Sequence, residues 1–472
     1  MHPILFRIPL PHWPLRVWWA LAVLAALAAI YAGLARRRGD RNGAFGGVVS
    51  AVVLAALAYL FRGTAFEAGS LPIFSYGVML GASLVVGWFL TLRLAATADL
   101  STPESESSSG AVSRDVVANS FLVAALFALL GARLLYVVTN LDEFHSLGDM
   151  VNLRRGGYTA YGGLVGGVFG SWLYLRTQKL SVLGWADLAA PGLAIGLGLT
   201  RIGCYLFGCD FGSRLGAGAP AWLQRLGTFP HWVGATQDAG EGSGPYLRHR
   251  DRYRGLPEGA ELLHRDSSFP VHPTQIYEAL VGFALLGLVL WMRKRDPRQG
   301  RTFTLLVFAY GVARYVIEFV RDDPDHRTFG PAFSFHVMLA CGLGLFALGF
   351  ALGIARVIRE PQLRLAARIG AFVPAVVAFA VFRPAAFVAT VDTQLSVSQW
   401  LALITGLIAA YVFGNTPRGA EGDPLVVPVT KSRPRSVAPA AVVPDEPEDE
   451  PEDEDEDDEP EPEPPAAIPA KA

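Results

Sequence analysis

With 472 residues, 52% of them hydrophobic and 17% charged, and a mean hydropathy of +0.34, the chain is too apolar for a soluble protein of its size, so a membrane domain is expected. The formal net charge of -2 conceals a division: Asp445 to Glu463 holds 15 acidic residues and no basic one, so the rest sets 40 Lys and Arg against the remaining 27 of 42 acidic residues, a net of +13. Cys204, Cys209 and Cys341 are too few for a disulfide framework and their spacing resembles no zinc or haem site, so no metal or other cofactor is expected, nor any nucleic-acid partner.

A helix needs about 20 mainly apolar residues to cross the hydrocarbon layer. In chain order, eleven stretches qualify, near residues 15–35, 44–61, 72–96, 116–139, 158–175, 184–208, 271–292, 302–320, 333–355, 369–389 and 397–413. The expected fold is an all-α, polytopic transmembrane helix bundle. The first stretch reads as a retained anchor, because its basic cluster, Arg36 to Arg38 with Arg41, follows the apolar run instead of preceding it. Short loops rich in basic residues mark the cytoplasmic side. The richest are 36–43, 293–301 and 356–368, and with eleven spans all three fall on one side, together with Arg176 and Lys179. This places the N-terminus and the long 209–270 segment outside and the C-terminus inside, with Arg154 and Arg155 on the outer side. From about Thr416 the chain is Pro-rich and then acidic, too poor in apolar residues to fold, and reads as a solvated tail rather than a docking arm for a basic partner.

Ionisable side chains within membrane helices are costly and mark candidate sites. Five stand out: Arg133, Arg201, Arg314, Glu318 and Arg321. At about 1.5 Å per residue, Arg133, Arg201 and Arg314 lie roughly 9 to 10 Å below the outer ends of their helices, with Arg321 at the boundary. Tyr76, Tyr161 and His272 fall near the same level. Tyr310, Arg314, Glu318 and Arg321 are spaced by four, four and three, which makes one helical stripe. Glu318 alone does not neutralise these arginines, so an excess of positive charge is expected, and the phosphate of an outer-leaflet lipid is the counterion it suits. The bland alternative for each arginine is snorkelling or pairing with backbone carbonyls. Gly162, Gly163, Gly166, Gly167 and Gly170 on one span, and Gly192, Gly196, Gly198 and Gly203 on another, are small-residue faces that allow close packing.

Several segments, in order, resemble the prolipoprotein diacylglyceryl transferases. The run Arg201-Ile-Gly-Cys-Tyr-Leu-Phe-Gly-Cys-Asp-Phe-Gly212 resembles that family's signature, followed by His272-Pro-Thr-Gln-Ile-Tyr-Glu278 and Tyr310-Gly-Val-Ala-Arg-Tyr-Val-Ile-Glu-Phe-Val-Arg321. Ser75-Tyr76-Gly77, Gly131-Ala-Arg-Leu-Leu-Tyr136 and the stretch from Gly156 to Gly166 match earlier parts. The resemblance covers roughly residues 72–357. It implies a core of seven helices and transfer of a diacylglyceryl group from phosphatidylglycerol to the cysteine thiol of a prolipoprotein lipobox, at the outer leaflet of a bacterial inner membrane. It also implies roles: Arg201 and Arg314 as phosphate and transition-state clamps, Tyr76 and Tyr161 beside them, and Arg133, Gly212, His272, Tyr310, Glu318 and Arg321 in substrate binding. Residues 1–71 and 358–414 are then additions of two spans each, and 415–472 the tail.

Three positions depart from the family pattern. Tyr161 stands where the family has a histidine, and tyrosine is a poor general base at neutral pH. Cys204 and Cys209 stand where it has asparagine and glutamate. Asp210 replaces the lost carboxylate only if the helix has ended by Gly208. As helix positions, Cys204 and Cys209 are about 140° apart, so they read as small packing residues. The alternative to an enzyme is a lipid-binding or scaffold paralogue without chemistry; a transporter fits less well, because the polar groups gather at one face. The 209–270 segment is open to three readings: a lid, a peptide-admitting surface or a connector.

Overall fold

The computed structural model describes residues 3–9, 17–60, 62, 70–95, 114–144, 146, 149–150, 157–178, 180–231, 242–296, 298–322, 328–382 and 392–416. The acidic tail, Arg154, Arg155 and the side chain of Tyr161 lie outside them. Each expected apolar stretch becomes helix. In order these are α1 (Val17–Arg37), α2 (Arg41–Leu60), α3 (Ser75–Ala95), α4 (Arg114–Thr139), α5 (Ala160–Thr177) and α6 (Val182–Phe207). Three short helices follow, α7 (Ala221–Leu226), α8 (Gly244–Arg252) and α9 (Pro257–Leu263), then α10 (Thr274–Arg295), α11 (Arg301–Glu318) and α12 (Phe335–Leu352). The last are α13 (Pro361–Gly370), α14 (Val373–Val381) and α15 (Val397–Asn415). Among the described residues nine helical stretches are long and apolar enough to cross a membrane, with α13 and α14 counted as one. The two remaining expected spans are α5 and α11, 18 residues each.

The tenth expected span is displaced. Within 369–382 the chain forms α13 and α14 with a break at Ala371 and Phe372 instead of one helix, and 383–389 of the expected span lie outside the described residues. Pro374 in the first turn of α14 has no N–H to continue the ladder, which accounts for the break. Arg364 and Arg368, expected in a loop, therefore lie within helix; Arg364 donates to the carbonyls of Ile358 and Arg359 at its base.

Two antiparallel ribbons close one end of the bundle. β1 (Ile4–Pro9) pairs with β2 (Ser70–Phe74), just before α3, and β3 (Thr328–Ser334) pairs with β4 (Asp392–Ser396), just before α15. Helix neighbours pack as antiparallel pairs: α1 with α2, α3 with α6, α4 with α5, α6 with α10 and α11 with α15. Glycine sets the closest approaches. A Cβ on Gly162 would stand 2.3 Å from the Gly131 carbonyl oxygen, and one on Gly131 would stand 2.4 Å from that of Gly162. Because backbone meets backbone there, no side chain can yield. Gly162→Ala is expected to destabilise the α4–α5 pair by about 1 to 3 kcal/mol, read as a lower thermal unfolding midpoint of the purified protein; an unchanged midpoint would show that the pair separates freely.

The start of α11 is held from α6. Asp187 is buried and accepts from the backbone N–H of Gly300 at 2.6 Å and of Phe303 at 2.7 Å. A carboxylate at the first turn satisfies donors that the helix leaves unpaired. This capping across helices fixes the rotation of α11, and with it the direction of the stripe that Tyr310 begins.

Candidate functional site

At the ribbon end, α6, α10 and α11 converge. α6 ends at Gly208, in left-handed conformation at φ +82°, and the turn carries Asp210 inward with φ +55°. The condition for Asp210 to replace a lost carboxylate is thus met: the helix has ended. Gly212 pairs with Arg321 and its N–H donates to the His272 carbonyl at 3.0 Å, while Ser213 N–H donates to the Val320 carbonyl at 2.7 Å. A Cβ on Gly212 would stand 2.5 Å from the Val320 carbonyl oxygen. Only glycine lets these three segments meet, so the structure gives Gly212 a role in assembling the site.

Three guanidiniums and three carboxylates interlock here. Arg201 Nε lies 2.5 Å from Glu278 Oε2 and its Nη1 lies 2.7 Å from Asp210 Oδ2. Arg314 Nη1 lies 2.6 Å from Glu278 Oε1 and Nη2 lies 2.7 Å from Glu318 Oε2. Arg321 reaches Asp210 Oδ1 at 2.8 Å, Glu278 Oε1 at 3.4 Å and Glu318 Oε2 at 3.7 Å. Glu278 thereby touches all three arginines. The expected excess of positive charge is not what the structure holds: Glu278 and Asp210, added to Glu318, balance the cluster one for one. A buried charge that is not matched in this way is expensive, which is the physical reason.

The carboxylates differ in access. Glu278 and Glu318 are buried, with side chains 2% and 3% exposed, whereas Asp210 is 32% exposed and bridges Arg201 to Arg321 on the open side. Burial opposes the charge on Asp210, but Arg201 and Arg321 outweigh it and hold the carboxyl below its usual range. Thr274 Oγ1 donates to the Asp210 carbonyl at 2.6 Å and Gln275 to that of Cys209, so the start of α10 grips this turn.

The last helix completes the cluster. Ser396 caps α15, accepting from Gln399 N–H at 3.2 Å, and its hydroxyl donates to Glu318 Oε1 at 2.8 Å. Arg314 Nη2 donates to Ser398 Oγ at 3.2 Å. Sequence reasoning placed this helix outside the core and missed both serines. It also passed over Glu278, although that residue is an ionisable group within a span, the same signal that singled out Glu318.

The other expected residues divide. Tyr76, at the start of α3, packs against Gly203 and stacks obliquely on Phe207 at 6.3 Å, within electrostatic reach of Arg201 and Asp210. Tyr310 lies one turn before Arg314, likewise near Arg201 and Glu278. His272 joins the Gly212 crossing through its backbone, and its Nδ1 stands 3.3 Å from the Tyr277 hydroxyl. Burial lowers its basicity below the usual imidazole value. Tyr161 occupies the first turn of α5. Arg133 is buried elsewhere, donating to the carbonyls of Met150 at 3.0 Å, Asp149 at 2.9 Å and Gly157 at 3.1 Å. Its pairing with these backbone carbonyls matches the bland reading.

The segment after α6 is a folded cap. Phe211, Phe229 and Val271 form one small core, and Tyr246, Leu262 and Phe269 another. Asp322, beside Arg321, ties α8 to the site through Arg252 at 2.6 Å and Arg248 at 3.6 Å. His249 is buried against Phe269 and Tyr253. Burial, with the charges of Arg214, Arg252 and Arg248, pushes its pKa down to about 4. The ordinary value is about 6.5, so between the two the unfolded cap binds a proton that the folded cap refuses. Its stability is therefore complete above about pH 6.5 and falls as pH drops towards 4. Amide protection factors across residues 242–273, corrected for the intrinsic pH dependence of exchange, are expected to fall over that window in the wild type and much less in His249→Gln; equal profiles would contradict this.

A sequence model of the prolipoprotein diacylglyceryl transferase family matches residues 63–359, more than half of the chain. A phosphatidylglycerol–prolipoprotein diacylglyceryl transferase of Clostridium tetani is 26% identical over 259 residues, which cover 55% of this chain and 85% of the relative. One of the two such transferases of Clostridium perfringens is 26% identical over 259 residues, covering 55% and 82%. A Clostridium botulinum relative is 25% identical over 260 residues, covering 55% and 85%. The matched region spans α3 to α12 and thus holds every arginine and carboxylate of the cluster, while the two serines that brace it lie beyond. On this extent of agreement, the chain belongs to the prolipoprotein diacylglyceryl transferase family.

Proposed function

We propose that the protein transfers a diacylglyceryl group from phosphatidylglycerol to the cysteine thiol of a prolipoprotein. The observation that carries this reading is the carboxylate of Asp210 held between Arg201 and Arg321 on the open side of the cluster. Two guanidiniums that grip a carboxylate through both its oxygens suit a phosphodiester equally well. Asp210 thus keeps the phosphate position filled at rest, and lipid binding exchanges one anion for another without leaving a buried charge unmatched. Glu278 and Glu318 stay in place and orient the arginines.

In the reaction the acceptor sulfur attacks the glyceryl carbon that carries the phosphate. The S–C bond forms as the C–O bond breaks, and glycerol phosphate leaves. Negative charge gathers on the departing phosphate, where Arg201 and Arg321 stabilise it, with Arg314 held behind them by Glu278 and Glu318. Alignment of sulfur, carbon and leaving oxygen supplies the rest of the acceleration.

The matching positions give the reading its domain plan: residues 72–357 as the catalytic core, 1–71 and 358–414 as helical additions, and 415–472 as the tail. The basic clusters at 36–41, 293–301 and 356–364 lie at the helix ends opposite the arginine cluster. By the bias of basic residues towards the cytoplasm, the cluster faces the outer leaflet of a bacterial inner membrane, with the N-terminus periplasmic, the C-terminus cytoplasmic and the cap placed to meet a lipobox peptide. The test is transfer in vitro from phosphatidylglycerol to a synthetic prolipoprotein peptide with one cysteine, followed by mass. A gain of one diacylglyceryl unit is expected. No gain, with phosphatidylglycerol still bound, would replace this reading with that of a lipid-binding paralogue.

A further inference from the structure

The turn that ends α6 gathers three metal-binding groups that the scheme above leaves without a joint role. Gly208 is left-handed and the N–H of Cys209 donates to the Cys204 carbonyl at 3.2 Å. At a helix end of this form, the residue just after the left-handed glycine packs against the residue four before it. Here those residues are Cys209 and Cys204. Helical spacing sets them apart, but the helix has stopped and the chain has turned back. Asp210 follows on the same turn. The two sulfurs and a carboxylate oxygen of Asp210 all lie within 4.8 Å of one another, and Cys204 Sγ is 3.4 Å from Asp210 Oδ2. Both cysteines are free thiols.

We propose that Cys204, Cys209 and Asp210 bind a thiophilic divalent cation such as Zn2+, with one coordination position left open. Tetrahedral zinc, with bonds of about 2.3 Å to sulfur and 2.0 to 2.2 Å to oxygen, sets its ligand atoms about 3.6 to 3.8 Å apart. The edge from Cys204 Sγ to Asp210 is already near that length, and the two edges from Cys209 Sγ need to close by at most about 1.2 Å. Two thiolates select zinc and related ions over magnesium or calcium. Neighbouring arginines do not oppose the cation, because binding releases the two thiol protons. One dication replaces two protons, and the balance of three guanidiniums against three carboxylates is unchanged. Arg201 and Arg321, bonded to Asp210 in this structure, are the outer partners that orient the ligand carboxylate until a lipid phosphate takes their hydrogen bonds.

Three protein ligands and an open position are the arrangement of catalytic rather than structural zinc. The open position would take the acceptor cysteine. A thiol that coordinates the metal loses its proton outright, so the nucleophile arrives as thiolate beside Arg201, with the proton passed to water on binding. Before lipid binds, every carboxylate among the described cluster residues is engaged by a guanidinium, and once the phosphate displaces Asp210 the metal would occupy that carboxylate instead. This part of the proposal rests on the transferase reading; the metal site itself does not.

The experiment uses the full-length protein, purified without chelator in detergent with phospholipid. Metal analysis is expected to find about one zinc per chain. After stripping, titration with Co2+ alone should raise a thiolate-to-cobalt charge-transfer band, absent in Cys204→Ser and Cys209→Ser and kept in Cys341→Ser, whose exposed thiol is not part of the cluster. Lack of that band in the wild type with both thiols free, its survival in Cys204→Ser, or a Cys204–Cys209 disulfide in freshly purified protein would each overturn the site. Transfer is then compared before and after stripping. A loss of at least about tenfold, restored by zinc, supports the thiol-activating role, and full transfer by metal-free protein overturns it. Cobalt binding without transfer in any metal state leaves the site standing and removes the transferase reading instead.

Discussion

Arg201→Ala is expected to lower transfer by about 100- to 1000-fold or more, the cost of removing one preorganised donor from a developing anion, while the protein remains folded and inserted. The folding expectation follows from the pairing. Without Arg201, Glu278 keeps Arg314 at 2.6 Å and Arg321 at 3.4 Å, and Asp210 keeps Arg321 at 2.8 Å. Each carboxylate keeps a guanidinium, so the helices should stay assembled, but two cations then face three anions and a lower thermal unfolding midpoint than wild type is expected. The loss should appear in kcat as well as in kcat/KM, because the charge on the leaving phosphate grows only as the C–O bond breaks. Arg201→Lys should recover little, since a lysine point charge does not grip two oxygens in one plane. Transfer assays on purified variants decide this, and full activity of Arg201→Ala would remove the residue from the mechanism.

Glu278→Gln should have the largest effect on stability. Glu278 is the one carboxylate in contact with all three arginines and is almost wholly buried. Neutralising it leaves three buried guanidiniums against two carboxylates, and breaking a buried pair from one side costs about 3 to 5 kcal/mol. The substitution keeps the side chain's volume, so packing does not explain the loss. A sharply lower thermal unfolding midpoint is expected. The unmatched positive charge should also make the variant respond more than the wild type to added phosphatidylglycerol, because a bound phosphate now supplies the missing anion. A variant with the wild-type midpoint would mean that the cluster does not hold the helices together.

The two substitutions separate the two tasks of one cluster. Arg201 sits at its open side, where an arriving anion meets it, and Glu278 at its centre. The last helix adds a third element: Ser396 and Ser398 fasten Glu318 and Arg314 from α15. A helix beyond the family match is thus part of the site's frame.

The sequence alone determined the helices and their order. Apolar length is a local property, and eleven stretches read this way are helical over their described residues, the tenth in two pieces with the break at Ala371 and Phe372. Arg201, Arg314, Glu318 and Arg321 were legible too, because a charge within an apolar run stands out wherever it ends up. Only the tertiary structure decided what those charges meet. Glu278 lies on a different helix from each arginine it binds, Asp210 turns inward because Gly208 is left-handed, and the serines arrive from a helix some 80 residues further on. The same turn joined Cys204 to Cys209, which helical spacing had set apart. Pairing of this kind depends on how closely helices approach and where each one stops, and a linear pattern of residue types carries neither distance.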